Sequence, residues 1–147
     1  CTTFSIASCG HHWNAPDDEG NRKPKTKEAE IGLLLLEKTI WIMNELQPKY
    51  YVIENPRGLM RKMGAVEYLT RHTVTYCQYG DNRMKPTDIW TNLPWTPRPM
   101  CKNGMPCHEA APRGSKTGTQ GLKGAYERSK VPYELCKEIL EVINETV

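Results

Sequence analysis

Two short polar motifs hold the residues of this sequence that are best suited to covalent and acid–base chemistry. The chain opens with Cys1-Thr2-Thr3-Phe4-Ser5, and a cysteine thiolate is a strong nucleophile near neutral pH when its pKa is lowered. Glu54-Asn55-Pro56 follows a short apolar run, and a carboxyl group at the end of a buried strand can act as an acid or a hydrogen-bond clamp. Each motif alone has a plainer interpretation: a structural terminal cysteine, and a surface glutamate at a turn.

A third group of residues is suited to binding a metal ion. Cys101, Cys107 and His108 lie close together in the sequence, and the set could be completed by one of Cys9, His11 and His12. Their spacing is wider than the C-x2-C pairs of typical zinc sites, so zinc is a hypothesis here. The irregular spacing of the six cysteines favours reduced thiols over a disulfide framework.

Length and composition indicate one folded domain. The chain has 147 residues, of which 38% are hydrophobic and 25% charged, which is enough apolar material for a compact core. The longest apolar run, at 31–36, is far shorter than the ~20 residues that span a bilayer, so we do not expect a membrane protein. The net charge is +3, but residues 78–130 hold nine basic and only four acidic side chains. This local excess favours contact with a polyanion, and a solvated loop is the alternative.

The hydrophobic pattern predicts one long helix near the start of the chain. Thr26 is the expected N-cap and Pro48 the stop signal. An apolar stripe at helical spacing is formed by Ala29, Leu33, Leu36, Ile40 and Met43. Because Leu35, Ile42 and Leu46 form a second stripe, we expect this helix to be buried along much of its surface.

The rest of the pattern predicts strands that alternate with helices. Strands are expected at 50–53 (buried on both faces), 72–77 and 87–91, with a weak helix at 57–69 between the first two. Residues 92–129 are expected to be irregular, and a final helix is expected from about Pro132 to Asn144. This order is typical of the second half of an open α/β sheet, in which ligands bind beyond the carboxyl ends of the strands.

Four motifs, taken in order, resemble those of the cytosine-5 DNA methyltransferase family, most closely its small phage and prophage members. Cys1 matches the nucleophile of the family's Pro-Cys-Gln motif, although Thr2 replaces the glutamine. Glu54 and Asn55 match the Glu-Asn-Val motif, with Pro56 in place of valine.

The two remaining motifs lie in the second half of the chain. After Tyr79-Gly80, Arg83 and Lys85 match the basic positions of the family's Gln-x-Arg-x-Arg motif, with Asp81 in place of the glutamine. Ser129-Lys130-Val131-Pro132 resembles the closing Asn-x-Val-Pro motif. The resemblance therefore extends over nearly the whole chain.

The resemblance implies an α/β fold: the C-terminal part of a Rossmann-like, S-adenosylmethionine-dependent methyltransferase sheet with a short irregular target-recognition segment. By this resemblance, residues 1–91 form a partial catalytic core and 92–128 a reduced target-recognition segment. Residues 129–147 form a C-terminal helix that returns to the core.

The resemblance also assigns roles to residues. The catalytic set is Cys1, Glu54, Arg83 and Lys85. Ser129 and Val131 are expected near the methyl donor, S-adenosylmethionine. Contacts with double-stranded DNA are expected from Arg113, Lys116, Thr117, Thr119 and Gln120. A mobile surface loop is the alternative interpretation of that last segment.

Two features of the family are not found in this sequence. Its Phe-x-Gly-x-Gly loop and its acidic ribose-binding residue are missing, and the chain begins at Cys1. We therefore expect a fragment that is inactive alone, whose partner is a missing N-terminal half and which acts in the cytoplasm of a bacterial or phage-infected cell. The alternative function is a non-enzymatic, zinc-stabilised nucleic-acid-binding module with a methyltransferase-like shape.

Overall fold

The structure, a computed structural model, describes residues 2–110 and 124–146. Three strands form within these ranges: β1 (Val52–Pro56), β2 (Arg71–Thr75) and β3 (Pro86–Thr91). The α-helices are α1 (Cys9–His12), α2 (Lys27–Leu46), α3 (Gly64–Glu67), α4 (Ala125–Ser129) and α5 (Tyr133–Glu145). Single turns of 3-10 helix lie at Thr2–Phe4, Leu59–Lys62 and Tyr76–Tyr79.

β3 is the central strand of the sheet. It pairs antiparallel with both of the other strands, so the order is β1-β3-β2 and the two outer strands run parallel to each other. In the described part of the chain, β1 has a strand on one side only and forms a sheet edge. The mixed α/β class is thus confirmed, in the form of a small antiparallel sheet.

Helical layers cover both faces of this sheet. Neighbouring side chains on a strand point to opposite faces, so β3 contributes to a core on each side. Trp90 of β3 packs into a cluster with α2 and with the chain's first residues, its other buried members being Phe4, Trp13, Ala29, Leu36, Ile40, Leu59, Met60, Met63 and Val66. Ile89, the preceding residue, packs on the opposite face in a cluster with Val74, Tyr76, Tyr79, Leu93, Trp95 and Leu135 of α5. The arrangement is a three-layer sandwich.

The long helix begins where it was predicted, but one of its faces is not buried. Thr26 is the N-cap, and its hydroxyl accepts a hydrogen bond from the Ala29 N–H. The first stripe lies in or against the core, as predicted. The second stripe is wrongly predicted as buried: Leu35, Ile42 and Leu46 are 60%, 43% and 74% exposed. With Ile31, also exposed, they form an apolar stripe on the side of α2 away from the sheet.

Several predicted boundaries and burial patterns are wrong. The first strand lies later than 50–53, so Glu54 and Asn55 are inside β1 rather than beyond it, and Val52 is 41% exposed although a doubly buried strand was expected. The second strand ends at Thr75, before a 3-10 turn. The weak helix at 57–69 is two separate single turns.

The end of the chain differs from the prediction in one element. α4 forms in a stretch that was expected to be irregular, and Ser129 ends this helix instead of opening the last one. Pro132 is the N-cap of α5. None of the helices in the described ranges is long and apolar enough to cross a bilayer.

Candidate active site

Glu54 lies on β1 and faces the layer that contains α5. It pairs across the sheet with Ile89, so both side chains project from the same face. The Tyr76 hydroxyl donates a hydrogen bond to Glu54 Oε1, with an O···O distance of 3.1 Å. Burial and the nearby Glu54 charge hold the pKa of Tyr76 far above its usual value. The tyrosine therefore stays protonated and remains a donor to the carboxylate.

Lys85 places a cation beside this pair. Its Nζ lies 4.7 Å from the centre of the Tyr76 ring and donates to the Arg128 carbonyl oxygen at 2.6 Å. Burial lowers the pKa of Lys85, the Arg83 charge lowers it further, and the Glu54 and Asp81 charges oppose the shift. Its backbone has φ of 27°, in the left-handed region that side chains other than glycine seldom adopt. We call Glu54, Tyr76 and Lys85 the Glu54 cluster.

Arg83, the other predicted cation, is enclosed by protein acceptors. Its side chain is 4% exposed and forms an ion pair with Asp81. Its Nη1 donates to the carbonyl oxygens of Glu127 and Arg128, at 3.3 and 3.4 Å. Burial alone would raise the pKa of Asp81, but hydrogen bonds and charge from Arg83 bring it below its usual value. In this conformation, Arg83 ties its own loop to the segment that leads into α5.

A cleft of about 600 Å³ opens where two of the predicted motifs meet. One wall is Tyr79–Arg83, from the basic motif, and the other includes Glu127 and Lys130–Glu134. Val131 is 39% exposed at this cleft. The Ser129 hydroxyl instead donates to the Tyr126 carbonyl oxygen at 2.8 Å, within its own helix.

The segment that follows Cys1 lies over the turn after β1. Cys1 itself is outside the described residues. Ser5 forms a β-bridge with Gly58, and a Cβ placed on Gly58 would lie 2.0 Å from the Phe4 carbonyl oxygen. Phe4 stacks on Trp13, whose indole N–H donates to the Thr3 carbonyl oxygen at 3.0 Å. The start of the chain is therefore fixed close to the strand that bears Glu54.

The predicted metal ligands converge, and a fourth residue joins them. Cys101, Cys107 and His108 lie together with Cys77, with all four ligand atoms within 4.8 Å of one another. Cys77 was missed because 23 residues separate it from Cys101 and no local spacing marks it. Cys9, His11 and His12 do not belong to this group; His12 Nδ1 lies 2.7 Å from the Thr26 hydroxyl instead.

The predicted DNA contacts cannot be located in the same way. They all fall outside the described residues: Arg113, Lys116, Thr117, Thr119 and Gln120. Glu109, just before that segment, donates its N–H to the Asn82 carbonyl oxygen at 2.9 Å. The residues that precede the predicted DNA-contact segment therefore lie beside the loop that carries Arg83.

Comparison with known proteins identifies one informative relative. A probable DNA (cytosine-5)-methyltransferase of Frog virus 3 (isolate Goorha) is 31% identical to this chain in an alignment that covers 76% of it. The match spans 58% of the relative's own length. No family model matches the chain, and no solved structure shows significant similarity. The motif order and this relative agree, and the chain belongs to the cytosine-5 DNA methyltransferase family.

Proposed function

We propose that this chain is the catalytic and DNA-binding part of an enzyme that methylates carbon 5 of cytosine in double-stranded DNA. The observation that carries the proposal is the Glu54 cluster: a carboxylate oriented by a tyrosine hydroxyl, with a half-buried ammonium beside it, on the strand whose following turn pairs with the segment after Cys1. A carboxyl group and a nearby cation are suited to hold the edge of a pyrimidine while a thiolate attacks the ring.

The proposed reaction begins with the Cys1 thiolate. Its sulfur forms a bond to carbon 6 of a cytosine that has been flipped out of the duplex, at a cost of a few kcal/mol. The electron pair displaced from the ring is stabilised at N3 by a proton or hydrogen bond from the Glu54 carboxyl group, which must be neutral for this step. Carbon 5 then takes the methyl group as the carbon–sulfur bond of the sulfonium breaks and its electron pair stays on the sulfur of the donor. A proton given to N3 returns to Glu54. The proton on carbon 5 leaves to a base, and its bonding electrons restore the ring double bond and expel the thiolate.

The other residues of the cluster orient the Glu54 carboxyl group and supply a positive charge in this scheme. Tyr76 occupies one carboxylate oxygen of Glu54, and no described residue is hydrogen-bonded to the other oxygen, so Oε2 is available to the base. Lys85 is the cation that we assign to the base O2 or to a flanking phosphate. Arg83 has its guanidinium directed at protein carbonyls, so we assign it a positioning role.

S-adenosylmethionine would supply a methyl group on a sulfonium. The fit of the described residues to this donor is partial: Val131 offers an exposed apolar contact at the cleft, whereas the Ser129 hydroxyl is already bonded within α4. We therefore assign a donor contact to Val131 and none to the Ser129 side chain.

The wider architecture follows the same proposal. We propose that in the whole protein the sheet continues beyond the edge strand β1 into a Rossmann-like sheet. The rest of that domain would cover the exposed apolar stripe of α2. Residues 1–91, 92–128 and 129–147 would be the partial core, the target-recognition segment and the returning helix, with Arg113, Lys116, Thr117, Thr119 and Gln120 contacting DNA.

Covalent trapping tests the proposed activity. The full-length protein that contains these residues is incubated with S-adenosylmethionine and a duplex in which 5-fluorocytosine replaces cytosine. Fluorine at carbon 5 cannot leave as a proton does, so the sulfur–carbon adduct should persist and appear as a shifted band in a denaturing gel. We expect an adduct with the parent protein and with Cys136→Ser, because Cys136 is on the exposed side of α5.

The same experiment separates the enzyme from a non-enzymatic DNA-binding module. Cys1→Ser should abolish the adduct while leaving DNA binding intact in a gel-shift assay. DNA binding without an adduct in either form, across duplexes of varied sequence, would contradict the enzymatic proposal and favour the binding module.

A further inference from the structure

Three thiols and one imidazole converge at the end of β2. Cys101 Sγ lies 3.2 Å from Cys107 Sγ, and His108 Nδ1 lies 3.6 Å from the first sulfur and 3.5 Å from the second. Cys77, buried in the 3-10 turn after β2, completes the group, with the four ligand atoms all within 4.8 Å.

The two sulfur–nitrogen separations match the edges of a tetrahedral metal site. With zinc–sulfur bonds of about 2.3 Å and a zinc–nitrogen bond of about 2.05 Å, a tetrahedron has edges of about 3.8 Å between sulfurs and about 3.5 Å between sulfur and nitrogen. The two sulfur–nitrogen distances agree with those edges to about 0.1 Å, and the sulfur–sulfur distance is shorter by about 0.6 Å. A disulfide between Cys101 and Cys107 would use only two of the four converging groups.

Groups around the ligands also suit a bound metal. The Gln78 side-chain N–H donates to Cys107 Sγ at 3.6 Å, the kind of bond that stabilises a thiolate. The other ring nitrogen of His108, Nε2, lies 3.4 Å from Asn103 Oδ1 and 3.3 Å from the Gly104 backbone nitrogen, whose N–H is directed at it. Contacts of this kind on the outer nitrogen orient the ring of a metal-binding histidine.

We propose that Cys77, Cys101, Cys107 and His108 form a structural zinc site. Three thiolates and one imidazole select zinc among the common divalent metals, and four protein ligands leave no open position for catalysis. The site would fasten the loop at 101–108 to the end of β2. Since Glu109 is bonded to Asn82, this loop is also tied to the Arg83 loop and leads to the proposed DNA-contact segment.

A metal would serve this part of the chain because it has little apolar core. Residues 101–110 contain no helix or strand, and all of their side chains are half-buried or exposed. Such a segment cannot offset its ordering entropy by hydrophobic burial, whereas a bound zinc ion contributes folding free energy directly.

Metal analysis of the whole chain tests the proposal. The protein is purified under reducing conditions with zinc supplied, and its metal content is measured by mass spectrometry. We expect one zinc per chain in the parent protein and in two control variants, Cys9→Ser and Cys136→Ser, whose sulfurs lie outside the cluster. Cys77→Ser and Cys107→Ser should lower the zinc content at least tenfold after extensive dialysis.

X-ray absorption on the parent protein keeps the proposal testable if those variants fail to fold. We expect a first shell of three sulfurs and one nitrogen, and a cobalt-substituted sample should show the intense visible bands of tetrahedral coordination. Zinc well below one equivalent in reduced protein would overturn the proposal. So would full zinc content in Cys77→Ser, or a Cys101–Cys107 disulfide found by peptide mass mapping of the reduced preparation. The result is independent of whether the protein methylates DNA.

Discussion

At the scale of single residues, Tyr76 is the side chain that most directly controls Glu54. It is completely buried, its hydroxyl reaches Glu54 Oε1, and its ring lies under the Lys85 ammonium. A hydrogen bond to a charged group contributes roughly 1.5–3 kcal/mol of stabilisation, which is lost when the donor is removed. The position of the carboxylate during attack on the base should therefore depend on this one hydroxyl.

We expect Tyr76→Phe to slow adduct formation in the full-length protein by at least about tenfold, since ~1.4 kcal/mol corresponds to a factor of ten in rate. The phenyl ring keeps the contact with Lys85 and the packing of the core. Trapping reactions on 5-fluorocytosine DNA, quenched at successive times, give the rate of adduct formation. Tyr68→Phe, at a tyrosine that is 64% exposed, is the control. Equal rates for all three proteins would show that the Tyr76 hydroxyl does not assist Glu54.

At the scale of elements, Gly58 joins the start of the chain to the turn after β1. Its Cβ position is filled by the Phe4 carbonyl oxygen and lies 2.9 Å from the Ile6 nitrogen. Both obstacles are backbone atoms, so a side chain cannot be accommodated by a rotamer change.

We expect Gly58→Ala to destabilise the protein by about 1–3 kcal/mol, the usual cost of forcing atoms into a packed site. Chemical denaturation measures this change. Gly64→Ala is the matched control, because Gly64 begins a helix and has open space where the Cβ would lie. Its stability should change by less than about 1 kcal/mol. A similar loss in both variants would contradict the close contact with Phe4.

The sheet itself contains a second point where elements depend on each other. Asp88 of β3 is 1% exposed; it accepts hydrogen bonds from Arg61 Nε at 2.9 Å and from the Thr73 hydroxyl of β2 at 2.8 Å. A carboxylate buried this deeply depends on its cation and its hydrogen-bond donors.

We expect Arg61→Leu to cost about 3–5 kcal/mol, because it leaves a buried charge without its partner. Arg71→Leu, at an exposed position on β2, should change stability by only about 0.5 kcal/mol. Adding Asp88→Leu to Arg61→Leu should recover part of the loss, which a double-mutant cycle in denaturant would measure. If the double variant shows no recovery, the buried charge is not the source of the loss.

At the scale of the whole molecule, the described part of the chain has two edge strands and one exposed apolar helix stripe. β1 and β2 each pair with β3 alone, and Ile31, Leu35, Ile42 and Leu46 are exposed on α2. The chain also spans 58% of the viral relative, and its sequence has no Phe-x-Gly-x-Gly loop. On the function proposed above, Val131 is the described residue assigned to the methyl donor, and other residues would complete that site.

We expect the 147-residue chain alone to bind S-adenosylmethionine weakly or not at all. Titration calorimetry at donor concentrations up to the millimolar range should show no saturable heat, whereas the full-length protein should bind stoichiometrically. A dye that binds exposed apolar surface should bind less to the longer protein, which would check that the α2 stripe is covered there. Tight one-to-one binding by the isolated chain would contradict the expectation.

The sequence by itself determined the family, the long helix with its Thr26 cap, the third strand and the final helix. These follow from local signals: capping chemistry, apolar periodicity and motifs a few residues long. It also singled out Glu54, Lys85, and three of the four converging metal ligands.

Tertiary structure alone decided which distant residues meet. Tyr76 and Cys77 carry no signal in their own neighbourhood, yet the end of β2 brings one to Glu54 and the other to Cys101. The burial of Arg83 and the exposure of the second α2 stripe likewise depend on which segments pack nearby. Such contacts join residues far apart in the chain, and local periodicity contains no information about them.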